Sequence, residues 1–267
     1  MDDKPLISIL MGIYNCADTL EEAVECIINQ TYEKWELIMC DDCSKDNTLQ
    51  VARRLAEKDA RIVVIHNEEN RTLAPTLNHC LQYAKGEYIA RMDGDDVCAL
   101  DRLEKELNFL EAHLEYALVS CDMNLYDSQG IYRVIHNMQR PTKESLVRAS
   151  QFCHAGCMMR TKVLKELGGY SEADNRKRVE DYDLWVRLYA ADYEGYNIQE
   201  PLYSMRDDRN ALSRRTFHNR LNESSVKLQA ITSYGLDVSS YCQVLLPIIK
   251  ALVPPKIQSF IHRNMKR

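Results

Sequence analysis

Three carboxylates lie within four residues in Asp93-Gly94-Asp95-Asp96, directly after the apolar run Tyr88-Ile89-Ala90. The run predicts a short buried strand, so the acids would stand at the tip of that strand. Like charges a few ångströms apart resist ionising together, and a bound divalent cation removes that cost. Oxygen ligands of this kind suit Mg²⁺ or Mn²⁺. The stretch therefore indicates either a metal site or a solvated acidic turn, because Asp and Gly are also ordinary turn residues.

The first hundred residues alternate between strand-like apolar runs and helical patterns four times. The runs are Leu6 to Met11, Trp35 to Met39, Ile62 to Ile65 and the run before the acids. This alternation predicts an α/β fold with a parallel sheet and right-handed crossovers. Ligands of such sheets bind beyond the carboxyl ends of the strands, where Tyr14-Asn15 and Asp41-Asp42 would join the acid cluster. No G-x-G-x-x-G follows the first strand, which counts against NAD.

The second half is less regular. We expect a helix from Asp101, a strand pair joined by a turn after Asp127, and a helix that begins near Glu180. Gly86 is expected to cap the third helix. Residues 201–206 are expected to form an edge strand.

Composition favours a soluble globular protein of 267 residues, with 45% hydrophobic and 28% charged residues. The net charge of −6 means that the chain as a whole lacks the excess of basic residues typical of nucleic-acid-binding proteins. We see no run of about 18 apolar residues and no signal peptide, so we expect a cytoplasmic protein. Its ten cysteines are then expected to be reduced thiols. Cys40/Cys43 and Cys153/Cys157 have redox-like or zinc-like spacing, but no second pair completes a zinc finger.

The segment after Asp237 contains no acidic residue. Five cations are interleaved there with apolar residues: Lys250, Lys256, Arg263, Lys266 and Arg267. That composition suits a segment lying on an anionic membrane surface, at the inner face of the cell membrane. A basic helix packed on the core, or a loose tail, is the alternative. Pro247, Pro254 and Pro255 would break any long helix.

The order of motifs resembles the family 2 inverting glycosyltransferases of the GT-A fold. The motifs run from Ser8-Ile9-Leu10-Met11 through Tyr14-Asn15, Asp41-Asp42-x-Ser44 and Asp93-Gly94-Asp95-Asp96 to Glu180-Asp181, within about Lys4 to Ser213. The segment near His154 and the turn Gly168-Gly169-Tyr170 are similar to bacterial capsule, O-antigen and exopolysaccharide enzymes. The resemblance implies a Rossmann-like, mostly parallel central sheet flanked by helices. We expect this domain over residues 1–215 and a helical, basic extension over 216–267.

The resemblance also implies a role for each motif residue on the donor side. Tyr14 would lie against the nucleobase, and Asp41 would accept a hydrogen bond from a pyrimidine N3–H. Arg71 would sit near the base or the phosphates. Asp93 and Asp95 would hold Mn²⁺ or Mg²⁺ and the ribose, with Asp95 the more direct metal ligand. The metal would neutralise the departing diphosphate.

The acidic pair would act on the acceptor side. Asp181 would be the general base that takes the proton of the acceptor hydroxyl, and Glu180 would position donor or acceptor. Taken without the family, the same pair is explained by favourable charge at a helix N-terminus. His154 could bind the acceptor or be structural.

Three departures from the family pattern bear on these roles. Gly12-Ile13 stand where Pro-Thr or Pro-Val is usual, and Cys43 replaces a common Gly. Many members carry a His near the end of the domain that contacts metal or diphosphate. Here Asp207 and Asp208 occupy that neighbourhood.

The sequence thus predicts a metal-dependent hexosyltransferase that uses a nucleotide sugar, with a UDP-sugar favoured. Its acceptor would be a glycan or glycolipid, lipid-linked at the membrane, in surface polysaccharide biosynthesis. One alternative is a sugar nucleotidyltransferase, which usually carries a Gly- and Lys-rich loop after the first strand; Gly12-Ile13-Tyr14-Asn15-Cys16 is not one. The other alternative is a non-catalytic nucleotide-sugar-binding or scaffold protein of the same fold. Such a relic would be expected to lose Asp95 or Asp181, and both are present.

Overall fold

The structure is a computed structural model that describes residues 4–207 and 216–252. Nine strands in these residues form one sheet. They are β1 (Ile7–Ile13), β2 (Trp35–Asp41), β3 (Ile62–His66), β4 (Tyr88–Arg91), β5 (Val97–Cys98), β6 (Tyr116–Asp127), β7 (Gly130–Ile135), β8 (Met158–Arg160) and β9 (Glu194–Arg206).

Nine α-helices are described within the same residues. They are α1 (Leu20–Ile28), α2 (Thr48–Lys58), α3 (Leu73–Tyr83), α4 (Arg102–Ala112), α5 (Lys143–Arg148), α6 (Thr161–Glu166), α7 (Glu180–Ala190), α8 (Phe217–Tyr234) and α9 (Cys242–Leu252).

The sheet has the order β3-β2-β1-β4-β8-β6-β9-β5, and β7 pairs with β6 outside this path. The first four strands are parallel to one another, as the alternation of strands and helices predicts. The second half makes the sheet mixed, because β8 runs antiparallel to both β4 and β6. The predicted α/β class with a GT-A-like central sheet is therefore confirmed. Its parallel pairs are those among β1 to β4 and the pair of β6 with β9 in the second half.

Helices cover both faces of the sheet, which explains why the first strands are apolar at successive residues rather than at alternate ones. On one face Ile9 and Leu37 pack with side chains from α1, α2 and α4. On the other face Leu10 and Ile38 pack with side chains from α3, α6 and α7. Both layers are buried, so the strand tips are held on a rigid frame.

Two local expectations were wrong. Gly86 does not cap α3, whose C-cap is Ala84; it is needed because a Cβ there would lie 2.6 Å from the carbonyl oxygen of Leu6. Residues 201–206 are not a separate edge strand. They are the second part of β9, which begins at Glu194 and lies between β6 and β5.

The predicted domain boundary after residue 215 adjoins residues outside the described part, so the division into two domains stays a prediction. The C-terminal helices that are described, α8 and α9, pack on each other, and α8 also packs on α5 and α7. Lys256, Arg263, Lys266 and Arg267 of the predicted membrane segment lie outside the described residues. Among the described helices, none is long and apolar enough to cross a membrane.

Candidate active site

The sheet register brings the predicted strand tips together. Ile13 at the end of β1 pairs with Asp41 at the end of β2, and Asp41 pairs with His66 at the end of β3. On the other side of β1, Leu10 pairs with Arg91, the last residue of β4. Loops that leave these four strands therefore start from one edge of the sheet, as the sequence predicts.

A cavity of about 440 Å³ opens at this edge. Its walls include Tyr14 after β1, Asp42 after β2, Thr72 before α3, and Glu180 at the start of α7. Tyr14 is 43% exposed, so its ring is available to a ligand. The wall thus combines one aromatic ring with polar groups from four separate elements, as small-molecule sites commonly do.

A second, adjoining cavity of about 360 Å³ contains the acid cluster. Tyr14 lines it as well, together with Asp93, Asp95 and Arg206. One carboxylate oxygen from each of Asp93, Asp95 and Asp96 lies within 4.8 Å of the others. The structure therefore places both predicted metal ligands in the same depression as the predicted nucleobase contact.

Asp96 differs from its two neighbours because its carboxylate serves the fold. It accepts hydrogen bonds from the Tyr203 hydroxyl at 2.8 Å and from the Arg206 backbone N–H at 2.7 Å. Burial, with the charges of Asp93 and Asp95, raises the pKa of Asp96 to about 7. This repulsion is the cost that a divalent cation would relieve.

A buried arginine supports the acid cluster from beneath. The guanidinium of Arg91 is almost wholly buried, and its Nη2 donates to Oδ1 of Asp93 at 2.6 Å. Burial opposes charge on Arg91, but Asp93 together with Tyr170 and Tyr203 favours it, and the pKa of Arg91 ends above its ordinary value. A second buried arginine, Arg102, donates to the carbonyl oxygen of Arg91 at 2.8 Å. The tip of β4 is therefore fixed on both its side-chain and backbone atoms.

These residues fit a hard divalent cation. Asp93 and Asp95 are oxygen donors with partial or full exposure to the cavity, whereas both oxygens of Asp96 are already used. Mg²⁺ and Mn²⁺ are commonly bound through one or two carboxylates with water or substrate oxygens completing the shell.

The two acids at the tip of β2 have different surroundings. Asp41 is buried, its Oδ2 accepts from the Ser44 N–H at 3.0 Å, and its Oδ1 has no hydrogen-bond partner among the described residues. Asp42 lines the 440 Å³ cavity, which Asp41 does not. The Oδ1 of Asp42 accepts a hydrogen bond from the Arg71 N–H at 2.8 Å, and the Oδ2 of Asp42 accepts one from the Thr72 N–H at 2.9 Å. Asp42 therefore fixes the backbone loop that carries Arg71 and Thr72.

Backbone strain is concentrated around these cavities. Of the described non-glycine residues, five have positive φ, and Asn15, Cys43, Thr72 and Arg178 all lie in the loops that form or adjoin the site. Thr72 is the most unusual, with φ 70° and ψ 177°, a region that is essentially restricted to glycine. Cys43, with φ 60°, also adopts the left-handed conformation that glycine takes most easily. Strain of this kind persists where the surroundings over-determine the backbone, as in ligand-binding loops.

Glu180 and Asp181 form the first turn of α7. Burial and the neighbouring Asp181 raise the pKa of Glu180, and Glu180 lines the 440 Å³ cavity. Burial also raises the pKa of Asp181, although hydrogen bonds from the Tyr182 N–H and from Ser150 oppose the effect. A carboxylate with a raised pKa is a better proton acceptor near neutral pH than an exposed one.

The family model for glycosyl transferase family 2 matches residues 8–168. The chain belongs to glycosyltransferase family 2. It is 40% identical over 267 residues to a Bacillus subtilis protein described as "Putative glycosyltransferase EpsE", covering 99% of this chain and 95% of that protein.

Two further similarities describe enzymes with named substrates or ligands. WfaP of Escherichia coli, a UDP-Glc:alpha-D-GlcNAc-diphosphoundecaprenol beta-1,3-glucosyltransferase, is 28% identical over 83% of this chain and 85% of its own length. Among solved structures, S. aureus TarS 1-349 in complex with UDP matches with a TM-score of 0.68 and 19% identity. That alignment covers 91% of this chain and 70% of TarS 1-349, and it shows the shared fold.

The structure places the two other predicted substrate contacts, Arg71 and His154, in different surroundings. Arg71 lines a third cavity of about 260 Å³, which shares Glu180 and Thr72 with the 440 Å³ cavity. Its Nη2 donates to Oε2 of Glu172 at 3.4 Å. His154 lies behind the rim, where its Nε2 is 2.9 Å from the Tyr170 hydroxyl.

The surroundings of His154 favour a structural role. Its ring packs edge-on against Tyr170 and Trp185, with ring centres 5.4 and 6.0 Å away. Burial and the positive charge of Arg91 lower the pKa of His154 well below its usual value. The imidazole is therefore neutral at pH 7, and contact with acceptor stays a prediction.

The sequence analysis missed several residues of this glycosyltransferase that line or support the site. Arg91 carried a visible signal, because a charge inside a buried strand needs a partner. His218 and Asn219, at the start of α8, also line the 440 Å³ cavity. No local signal identifies these two, since they reach the cavity only through the packing of α8. Asp207, which stands in the neighbourhood where many members carry a His, accepts a hydrogen bond from the Tyr132 hydroxyl, and Asp208 lies outside the described residues.

Proposed function

We propose that this glycosyltransferase is a metal-dependent, inverting hexosyltransferase that moves a sugar from a UDP-sugar to a hydroxyl of a lipid-linked glycan. The observation that carries the proposal is the shared depression formed by Tyr14, Asp93 and Asp95, with Glu180 in the wall of the adjoining cavity. Asp181 follows Glu180 in the first turn of α7 and is not itself among the residues that line the cavity. The side with Tyr14, Asp93 and Asp95 can hold a nucleotide and a cation, and the start of α7 carries the acid that we propose as the base.

The donor side is assigned from its exposed ring and its oxygens. Tyr14 offers a face on which a nucleobase can stack. Asp41 is not among the residues that line the cavity, but its buried Oδ1 has no partner among the described residues, so a uracil N3–H that reached it would satisfy that oxygen. Arg71 is half exposed beside the cavity and can approach the base or the phosphates. The UDP complex of TarS supports the same class of donor by fold similarity.

Asp95 and Asp93 would hold Mn²⁺ or Mg²⁺, which when bound supplies positive charge beside the diphosphate leaving group. Arg91 keeps Asp93 in place through the 2.6 Å hydrogen bond. Asp96 is the less suitable ligand because it is buried and each of its oxygens already accepts a hydrogen bond, from the Tyr203 hydroxyl and from the Arg206 N–H.

Asp181 is assigned as the general base. The acceptor oxygen forms a bond to the anomeric carbon from the face opposite the diphosphate, and the bond from that carbon to the diphosphate oxygen breaks. The bonding electron pair leaves with the UDP oxygen, the acceptor proton goes to the Asp181 carboxylate, and the anomeric configuration inverts. The raised pKa of Asp181 suits this task, and Glu180 beside it positions donor or acceptor.

The acceptor and the place of action are assigned from the relatives and from charge. WfaP is named for a diphosphoundecaprenol-linked acceptor, and surface polysaccharide synthesis uses such carriers at the inner face of the cell membrane. The acid-free, basic segment after Asp237 suits peripheral contact with that surface.

The first experiment is a thermal-shift panel with UDP, dTDP, GDP and CDP, each with Mn²⁺, Mg²⁺ or EDTA. A ligand that binds only the folded state raises the melting temperature. A metal-dependent shift with UDP alone supports the donor and the cation together. A shift with another nucleotide replaces the donor assignment, and no shift with any of them favours the non-catalytic alternative.

A variant pair tests the base. Asp181→Asn should abolish sugar transfer and leave the UDP-dependent thermal shift intact, because the amide cannot accept the acceptor proton. Asp192→Asn, an exposed acid beyond the C-terminal end of the same helix, is the matched control and should keep full activity. Equal loss of transfer and UDP binding in Asp181→Asn would show that Asp181 is a donor ligand or a structural residue.

A further inference from the structure

The two C-terminal helices carry exposed apolar residues at helical spacing. On α8, Phe217, Leu221 and Leu228 are exposed and fall on one face, since positions four and eleven apart in a helix share a face. On α9, Leu245 and Ile249 are four residues apart and are 56% and 53% exposed. We name the five residues the C-terminal apolar face. Large exposed apolar surfaces mark interaction sites more often than chance.

The opposite side of α8 is fixed firmly to the catalytic body. Val226, Ala230 and Ile231 of α8 are buried against α7 and α5 in a separate apolar cluster. The buried Nζ of Lys227 donates to the carbonyl oxygen of Val147 at 3.0 Å, at the end of α5. The C-terminal apolar face is therefore displayed by helices in fixed positions relative to the active site.

The face begins at the mouth of the donor cavity. His218 and Asn219, the residues directly after Phe217, line the 440 Å³ cavity. From there the exposed residues continue along α8 to Leu228, and α9 packs against α8. Whatever covers this face therefore lies beside the 440 Å³ cavity.

The charge of this region indicates which kind of partner covers the C-terminal apolar face. The protein as a whole has a net charge of −6, yet its sequence contains no acid after Asp237. Lys250 is exposed on α9. Four more cations follow in the sequence, at Lys256, Arg263, Lys266 and Arg267, outside the described residues. On α8 the acid Glu223 is paired with Arg220, and the segment after Asp237 carries cations without acids. Apolar side chains beside such cations bind an anionic lipid surface, because the apolar groups enter the acyl boundary and the cations pair with headgroups.

We propose that the C-terminal apolar face docks this glycosyltransferase on an anionic bilayer and holds the donor cavity at the lipid surface. Leu245 and Ile249 enter the acyl boundary, and Lys250 lies at headgroup level. This proposal rests on the proposed function only for the reason why docking is useful, which is that a lipid-linked acceptor has to be reached at the bilayer. Docking itself needs no substrate, so it can be tested alone.

The test is co-sedimentation of the full chain with vesicles of phosphatidylglycerol and phosphatidylethanolamine. The double variant Leu245→Ser/Ile249→Ser should lower the vesicle-bound fraction at least about tenfold, since two apolar side chains leave the acyl boundary. The matched control is Leu114→Ser/Ile131→Ser, which removes two exposed apolar residues from other surfaces and should change binding less than about twofold. Binding of the parent chain should also fall when phosphatidylcholine replaces phosphatidylglycerol.

Three outcomes would overturn the proposal. Unchanged vesicle binding in the double variant would remove the apolar face from membrane docking. Equal loss in the control would show a non-specific effect. A parent chain that is dimeric by light scattering, and monomeric in the double variant, would assign the face to a second copy. If the double variant melts early, Leu221→Ser/Leu228→Ser on α8 provides an independent variant of the same face.

The UDP thermal shift in the absence of vesicles separates this proposal from the proposed function. The double variant should keep that shift at the parent value, because its substitutions lie outside the donor cavity. Loss of vesicle binding with an intact UDP shift supports docking through this face. A parent chain that shows the UDP shift but binds no vesicles refutes docking and leaves the proposed function standing.

Discussion

Thr72→Gly should make this glycosyltransferase more stable and a poorer enzyme. Thr72 is held at φ 70° and ψ 177°, and a non-glycine residue in that region costs about 1–3 kcal/mol. Glycine removes this strain but adds about 0.5–1 kcal/mol of unfolded-state entropy. The expected net gain is about 1 kcal/mol, which for a chain of this length raises the melting temperature by about 2–4 °C.

The loss of function has a separate physical cause. The Asp42 carboxylate holds the N–H groups of Arg71 and Thr72 at 2.8 and 2.9 Å, and the Thr72 side chain lines the donor cavity. Glycine keeps the N–H groups but widens the range of backbone conformations and removes the side chain. We therefore expect the KM for the donor to rise severalfold while kcat changes little.

The assay combines urea unfolding with steady-state kinetics at varied donor concentration. Thr232→Gly is the control, because Thr232 is an exposed residue of α8 with ordinary helical geometry and should lose stability. A Thr72→Gly protein that is less stable than its parent refutes the strain argument. A more stable variant with an unchanged donor KM refutes the functional half.

Three further predictions concern the cation, pH and packing. Asp95→Ala should abolish the Mn²⁺-dependent part of UDP affinity, which calorimetry with and without EDTA measures, and an unchanged dissociation constant would remove Asp95 from the metal site. The pKa of His154 is depressed in the folded protein, so on acidification the unfolded chain takes up this proton first. The stability from this group is therefore present above pH 6.5 and declines below it by up to about 1.4 kcal/mol per pH unit. In His154→Gln the free energy of unfolding, measured with urea, should vary less between pH 7.5 and 5.5, and an equal decline in both proteins would contradict this. Gly86→Ala should lower the free energy of unfolding by about 2 kcal/mol or more, because the new Cβ would meet backbone atoms of Leu6 and Ser8 at 2.6 Å. Gly168→Ala, the control with open space around it, should lower it by about 1 kcal/mol through its positive φ alone.

The parallel half of the sheet and the position of the acid cluster could be predicted because their signals are local. An apolar run followed by Asp93-Gly94-Asp95-Asp96 defines a strand and its tip without reference to any other part of the chain. The register then aligns the tips, because parallel strands in one sheet end at one edge.

Features that depend on contacts between distant segments could not be predicted. Whether Asp41 or Asp42 faces the cavity depends on how β2 ends against β1 and β3, and two adjacent acids look alike in a sequence. The tight packing at Gly86 exists only because β4 lies beside β1. The contribution of His218 depends on how α8 docks on α5 and α7.

The docking of α8 also limits how this enzyme can be divided or recombined. A chain ending before residue 216 would lose His218 and Asn219 from the cavity wall, together with the Lys227 contact that ends α5. An exchange of the C-terminal helices between two members of the family would carry part of the pocket with it. Substitutions on α8 can therefore alter the shape of the cavity without any change at the strand tips.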